Sequence, residues 1–318
     1  MITKSAVDIS RRHFVASGSL VVAAAWLLPN RLWAQEGSLV ENARKEGISA
    51  KVTLQKLRGN VSALLGAGGN IAVLTGRDGK LLVDAGFATS RQQVSDALNT
   101  ISPDPIKHLI NTHWHFDHTD GNEWIHKAGA TIVAHGNTRK HLSTATRVEG
   151  WNYTFPASPA GAIPAKVFDE KQALHLNGTP LVLEHYEPAH TDSDISVNFA
   201  DADIFHTGDT WWNGFYPFID YSTGGSIDGM IRATELNLTK VGDKTIVIPG
   251  HGPIGNKSDL ALFRDVLTET REKVAALKKQ GKSVQEVIAA KVSARYDEKW
   301  GGLFMSPAQF ISLVYQGV

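Results

Sequence analysis

Not one of the 318 residues is a cysteine. Disulfides, iron–sulfur ligation and a Cys–His catalytic pair are therefore excluded together. Net charge is missing too, since 32 Lys and Arg stand against 32 Asp and Glu. A chain so balanced offers no electrostatic footprint for nucleic acid or another polyanion. The apolar stretch Val15–Leu28 is short for a bilayer-spanning helix. There is no short-period repeat and no low-complexity linker. What remains is an ordinary globular composition, 42% hydrophobic and 20% charged, of a size that one α/β domain can take.

Ser10-Arg11-Arg12-His13-Phe14-Val15 sets two arginines before the apolar stretch, and the small residue Ala34 follows it. A basic front, an apolar middle and a small-residue end describe a twin-arginine signal peptide. The expectation is that residues 1–34 engage the twin-arginine export machinery and are removed after Ala34. The product is then periplasmic or otherwise exported, with no stable membrane insertion; an uncleaved anchor is the competing reading. Removal takes away Lys4, Arg11, Arg12 and Arg31 against Asp8 alone, so residues 35–318 are mildly acidic.

Chemistry concentrates in Thr112–Asp120, which reads T-H-W-H-F-D-H-T-D and follows the apolar run Ile106–Ile110. In an extended strand end, residues two apart point the same way, so His113 and His115 can grip one ion. A turn starting at Asp117 would aim Asp117 and His118 elsewhere, toward a second ion. Imidazole and carboxylate suit zinc, and also iron or manganese. Three histidines and an aspartate at this spacing outweigh the alternative of a solvated, His-rich turn.

This H-x-H-x-D-H segment resembles the signature of the metallo-β-lactamase-fold hydrolases. The resemblance runs from about Val52 to about Gly255 and implies an α/β fold, an αββα four-layer sandwich. In it two mixed β-sheets lie face to face, helices flank them, and the metals sit at one edge. It implies two divalent ions, zinc foremost. His113, His115 and His190 would take one, Asp117, His118 and His251 the other, with Asp209 and a hydroxide bridging them. Asp84, in Leu82-Val83-Asp84-Ala85-Gly86, matches an early aspartate that supports the site from behind the ligands. Asp117 is the expected catalytic residue, orienting the nucleophile or shuttling its proton. His135 and His206 lie nearest the motifs among the other histidines and are candidate partners of the ligands.

Around the motifs, Val61–Leu65 and Ile71–Thr75 read as strands, and Asp78-Gly79 as a hairpin turn. Ser90–Asn99 has helical spacing, and Gly121–Lys127 reads as a helix capped by Thr119 or Asp120. Residues 144–165 are rich in Pro, Gly and aromatics and are expected to form a structureless lid or binding wall. Five aromatics occur between Trp211 and Phe218. Trp151, Trp211, Trp212, Phe215 and Tyr216 are therefore candidates for a substrate pocket. From about residue 257 a helical extension follows: an amphipathic helix at Asp259–Gly281, a capping box at Ser283 and Glu286, and a Ser306-Pro307 helix start.

The reaction implied is metal-assisted hydrolysis of a small-molecule substrate, in which the bridging hydroxide attacks an ester, lactone or thioester. An aspartate at position 209 resembles the thioesterases and lactonases, and the missing cysteine rules out one major subclass of true metallo-β-lactamases. β-Lactam hydrolysis is the nearest alternative. Iron-dependent persulfide oxidation is a more distant one, and a catalytically dead metal-binding module is a third. Oxygen-reducing diiron relatives are disfavoured because they carry Glu where this chain has His115. The mature protein is predicted to begin near Gln35, which an intact mass of exported protein checks.

Overall fold

The computed structural model describes residues 38–302 and 304–318; the expected signal segment, 1–34, lies outside them. Helix α1 (Leu39–Gly47) starts at Ser38, whose Oγ accepts from the Glu41 amide. An antiparallel meander follows: β1 (Thr53–Lys56), β2 (Val61–Leu65), β3 (Ile71–Leu74) and β4 (Lys80–Val83). Helix α2 (Arg91–Ile101) then carries the chain to β5 (Ile106–Ile110), which pairs parallel to β4. Short helices α3 (Phe116–Thr119) and α4 (Asn122–Lys127) precede β6 (Thr131–His135), parallel to β5. After α5 (Gly136–Ser143) comes a small hairpin, β7 (Thr146–Val148) and β8 (Tyr153–Phe155), and β9 (Lys166–Phe168) closes the seven-stranded sheet. The second sheet runs in order through β10 (Lys171–Leu176), β11 (Thr179–His185), β12 (Ile195–Phe199), β13 (Ile204–His206) and β14 (Ile246–Ile248). Helix α6 (Ile227–Lys240) joins β13 to its parallel neighbour β14. Four helices end the chain: α7 (Lys257–Lys279), α8 (Val284–Ala289), α9 (Ala294–Trp300) and α10 (Pro307–Gly317).

The period of two along each strand builds the layers. On β4, Leu81 and Val83 point to the space between the sheets, where they meet Leu183, Val197 and Phe199. Leu82, between them, points the other way onto Val94 and Leu98 of α2. On the second sheet, Phe205 and Val247 face outward and pack under Met230, Leu260 and Phe263. Both faces of both sheets are therefore covered, which is why every position of β2, β3 and β4 is buried. The result is the αββα sandwich expected. No helix among the described residues is long and apolar enough to cross a membrane.

Two local expectations are corrected. Residues 144–165 are not structureless: they form the β7–β8 hairpin and 3₁₀ turns at Glu149–Trp151 and Ala160–Ala162. Asn152, at φ 47°, supplies the left-handed residue that closes the hairpin. Helix α4 starts at Gly121 with no side-chain cap. Thr119 Oγ1 instead donates to the carbonyls of Trp114 and His115, and Asp120 is held by Arg44 at 2.6 Å. Helices α1 and α9 and strand β10 are elements beyond those expected from the sequence.

Phe263 stacks on Trp300 (6.0 Å, 14°) and ties α7 to α9. Phe263→Ala is expected to cost roughly 3–5 kcal/mol, measured by chemical denaturation.

Candidate metal centre

Most candidate ligands leave the sheets at strand ends on one edge. Asp84 follows β4, His113–His118 follow β5, Asp209 follows β13 and His251 follows β14, while His190 sits in the β11–β12 connection. Parallel pairing of β4 with β5 and of β13 with β14 delivers these carboxyl ends to the same edge. The structure brings all seven proposed ligands together. Three groups have ligand atoms within 4.8 Å of one another: His113, His115 and His190; His113, His118 and Asp209; and Asp117, His118 and His251. Asp209 lies 3.4 Å from His190 and 3.3 Å from His251, which places it between the two sets.

The outward ring nitrogens decide what the inward ones are. His190 Nδ1 lies 2.8 Å from the Phe218 carbonyl, which can only accept, so this nitrogen carries the proton. His118 Nδ1 donates to Asp84 Oδ2 at 2.7 Å, and His115 Nε2 to Asp220 Oδ2 at 3.1 Å. Thr112 Oγ1 donates to Asp84, so its lone pair accepts from His113 Nδ1 at 3.1 Å. Each of these imidazoles, when neutral, thus turns a bare lone pair inward. His115 Nδ1 and His190 Nε2 face each other at 2.9 Å with no proton left for the gap. Buried His113 Nε2 has no hydrogen-bond partner at all, and Asp209 Oδ1 has only the His118 ring nitrogen, 3.1 Å away, to neutralise it. Orphaned acceptors converging in a buried site are costly unless a cation satisfies them. The donor set therefore fits divalent metal ions.

Electrostatics point the same way. Burial pushes Asp209 toward neutrality, but His251, His118 and His113 hold it well below the carboxylate range. Burial likewise opposes a charge on His118, yet Asp209, Asp117 and Asp84 raise it well above its ordinary value. His251 is raised to about 9, burial being outweighed by Asp209 and Asp117. His113 and His115 are lowered, by burial above all, and stay neutral as ligands must. The carboxylates recruit protons onto His118 and His251, and cations would replace those protons.

The cluster depends on close backbone approach. A Cβ on Gly69 would lie 2.1 Å from His118 Cε1, and one on Gly250 would lie 1.9 Å from Asp209 Oδ1. Asp84 adopts a left-handed φ of 69° while wholly buried, and its carboxylate is repaid by Thr112 N, Thr112 Oγ1 and His118. Sequence reading missed Gly69, Gly250, Thr112 and Asp220. Nothing local marks Asp220, which meets His115 from 105 residues away.

The pocket candidates divide. Trp212 stands against His251, ring centroids 4.2 Å apart, and Trp151 against His115 at 4.7 Å. Phe215 is half-buried beside Gly252. Trp211 and Tyr216 are a correction: both are fully buried. Tyr216 stacks on Phe310 at 4.5 Å and donates to Asp297, so it ties the second sheet's loop to the terminal helices. Trp114 and Phe116, between the ligands, are core residues. His206 donates to the Asn70 carbonyl and accepts from Gly208 N, bracing the turn before Asp209. His135 stacks on His185 at 3.7 Å and touches no ligand.

Asp84→Asn, which removes the acceptor shared by His118 and Thr112, is expected to weaken zinc affinity about 10- to 100-fold. Gly250→Ala is expected to do so by displacing Asp209. Competition with a chromophoric chelator measures both. For the unaltered protein the same assay should show affinity rising with pH up to about 9, where His251 gives up its proton unaided.

The model of the family described as the metallo-beta-lactamase superfamily matches residues 65–253, more than half of the chain. The probable metallo-hydrolase YqgX of Bacillus subtilis (strain 168) is 26% identical over 170 residues, covering 51% of this chain and 71% of that protein. A hydroxyacylglutathione hydrolase of Polaromonas sp. is 25% identical over 162 residues, covering 50% of this chain and 54% of its own. Among solved structures, a metallo-beta-lactamase from Pontibacter korlensis superposes with a TM-score of 0.56 at 16% identity, covering 69% of this chain and 99% of that one. A stereoselective inverting sec-alkylsulfatase from Pseudomonas sp. superposes with a TM-score of 0.63 at 17% identity over 92% of this chain. The present chain spans about half of that sulfatase, 54%. At these identities the two structures speak for the fold alone. Family match, sandwich and converging histidines agree: the chain belongs to the metallo-beta-lactamase superfamily and is a metal-dependent hydrolase.

Proposed function

We propose that the protein is an exported, binuclear metal hydrolase that cleaves acyl-type substrates: esters, lactones or thioesters. The observation that carries this reading is the set of converging acceptors, with His113 Nε2 buried and unpaired and His115 Nδ1 facing His190 Nε2 at 2.9 Å beside the Asp209 carboxylate. His113, His115 and His190 would hold one ion, Asp117, His118 and His251 the other, and Asp209 would lie between. Divalent ions held this close acidify water toward neutrality and polarise a carbonyl oxygen. The completeness of both ligand groups favours two zinc ions over a single iron, and so hydrolysis over persulfide oxidation. The relative named hydroxyacylglutathione hydrolase supports an acyl substrate by its name.

The chain's own residues then have separable tasks. Asp117 Oδ2 lies 3.1 Å from His251 Nε2, and the side chain keeps 14% of its surface exposed. Burial pushes this carboxyl up, but His118 and His251 bring it below its ordinary value, so it is ionised at neutral pH and able to take a proton. His115, fixed by Asp220, and His190, fixed by the Phe218 carbonyl, cannot rotate away. Trp151 and Trp212 cover the ligand rings and keep bulk water from them. No residue need form a covalent bond to substrate. The twin-arginine pattern at Arg11-Arg12 supports a periplasmic address, and folding before export would let the ions enter first.

Asp117→Ala is expected to lower turnover by about 10²–10⁴ while the fold survives. The readouts are turnover of a panel of lactones, thioesters and β-lactams by zinc-loaded protein, with zinc content by elemental analysis. Full activity in the variant with both ions bound would remove Asp117 from its role. Turnover of β-lactams alone would replace the acyl-ester reading.

A further inference from the structure

A cleft of about 300 Å³ lies against the metal centre without containing any of its ligands. Its inner wall is Trp151, Phe218 and Phe304; its outer wall is Ala308, Ser312 and Leu313 of α10. The inner rings are the ones that back the ligands. Trp151 lies 4.7 Å from His115, Phe218 lies 6.2 Å from both His115 and His190, and Phe304 stacks on His251 at 6.4 Å and 18°. Trp151 and Phe218 stack on each other at 4.8 Å, so this wall is continuous. Among the seven ligands only His251 and Asp117 show appreciable surface, 16% and 14%. Phe304 stands beside His251, and the cleft therefore borders the side from which solvent reaches the centre.

The lining offers nothing to a charged group. None of its residues is ionisable, and its polar members are largely occupied at home. Gln309 Oε1 accepts from Ser306 N and Oγ in the α10 capping box, and Ser312 Oγ donates to the Ala308 carbonyl. A charge entering here would lose its water without a partner, whereas methylenes would gain. Resting on the hydrolase reading, we propose that this cleft binds the apolar tail of the substrate. That substrate is an ester or thioester of an unbranched acyl chain several carbons long, with its carbonyl at the metal centre. Gly150 sets the shape of the wall, since a Cβ there would lie 2.7 Å from Phe218 Cε2.

The test uses zinc-loaded protein and p-nitrophenyl acetate, butyrate, hexanoate and octanoate. The ratio kcat/KM should rise roughly three- to fourfold per added methylene, the transfer free energy of one CH₂ expressed as a rate. Ala308 is exposed, so Ala308→Phe narrows the cleft from the surface, and Ser312→Phe does so one turn later. Either variant should flatten the chain-length series, read as the octanoate-to-acetate ratio of kcat/KM within that variant. A flat series in the unaltered protein, or a series that either folded variant leaves as steep, overturns the proposal. Octanoate binding by calorimetry separates the two readings. If no ester is turned over, yet octanoate binds and Ala308→Phe weakens that binding at least tenfold, the cleft stands and the hydrolase reading falls. Octanoate that fails to bind, or binds the variants equally, overturns the cleft. Binding that appears only when residues before Ser38 are removed, or only when a dimer is diluted apart, also overturns it, since the chain itself would then be the occupant.

Discussion

The structure turns on proton positions at four imidazoles, those of His113, His115, His118 and His190. An imidazole has two nitrogens and, when neutral, one proton, so whatever accepts that proton on the outer side determines what faces inward. Here the outer acceptors are Asp84, Asp220, the Phe218 carbonyl and Thr112. Each is set by the fold rather than by a ligand. The inward lone pairs, with Asp209 among them, produce a concentration of electron density that a protein interior tolerates only beside a positive charge. Protons on His118 and His251 supply some of it, and metal ions would supply more.

Keeping those acceptors in place explains several choices that look costly in isolation. Asp84 holds a left-handed backbone, and from it one carboxylate serves both the Thr112 amide and His118. Two glycines, Gly69 and Gly250, give up side chains so that backbone can pass within reach of His118 and Asp209. Asp194, wholly buried, accepts from the amides of His190 and Thr191 and from Thr191 Oγ1, and so fixes the loop that presents His190. Burial pushes this carboxyl upward, and the hydrogen bonds that hold the loop draw it back only in part. The ligand loops are thus braced by groups whose chemistry is never exposed to substrate.

Legibility in the sequence follows the range of the interaction. The H-x-H-x-D-H ligands are local, and their spacing announced them; His190, Asp209 and His251 were reached through motif resemblance, and the fold brings them to the same edge. Helix ends governed by neighbouring residues are readable as well: the capping box at Ser283 with Glu286 and the Ser306 cap before Pro307 are both present. What escaped depends on contacts distant in sequence. Asp220 has no signature until β13 and the following loop bring it to His115. Tyr216 sits in the same aromatic run as Trp212, and the docking of α9 and α10 against it, through Asp297 and Phe310, holds its ring in the core. The hairpin in residues 144–165 was hidden by its Pro and Gly content, because turn-rich composition reads as loop even where three-residue strands pair.

The terminal helices therefore do more than cover the second sheet. Tyr216 is clamped by Asp297 of α9 and stacked on Phe310 of α10, so the loop that carries Trp212 and Phe218 is positioned from the far end of the chain. Phe218 in turn presents the carbonyl that fixes His190. A shift of α10 would pass through Tyr216 to the Phe218 backbone, and from there to the His190 ring that would hold an ion. The same helix forms the outer wall of the apolar cleft. Substrate fit and ligand orientation consequently share one packing unit, and a change that reshapes the cleft must leave Phe310 and Tyr216 in place if His190 is to keep its aim.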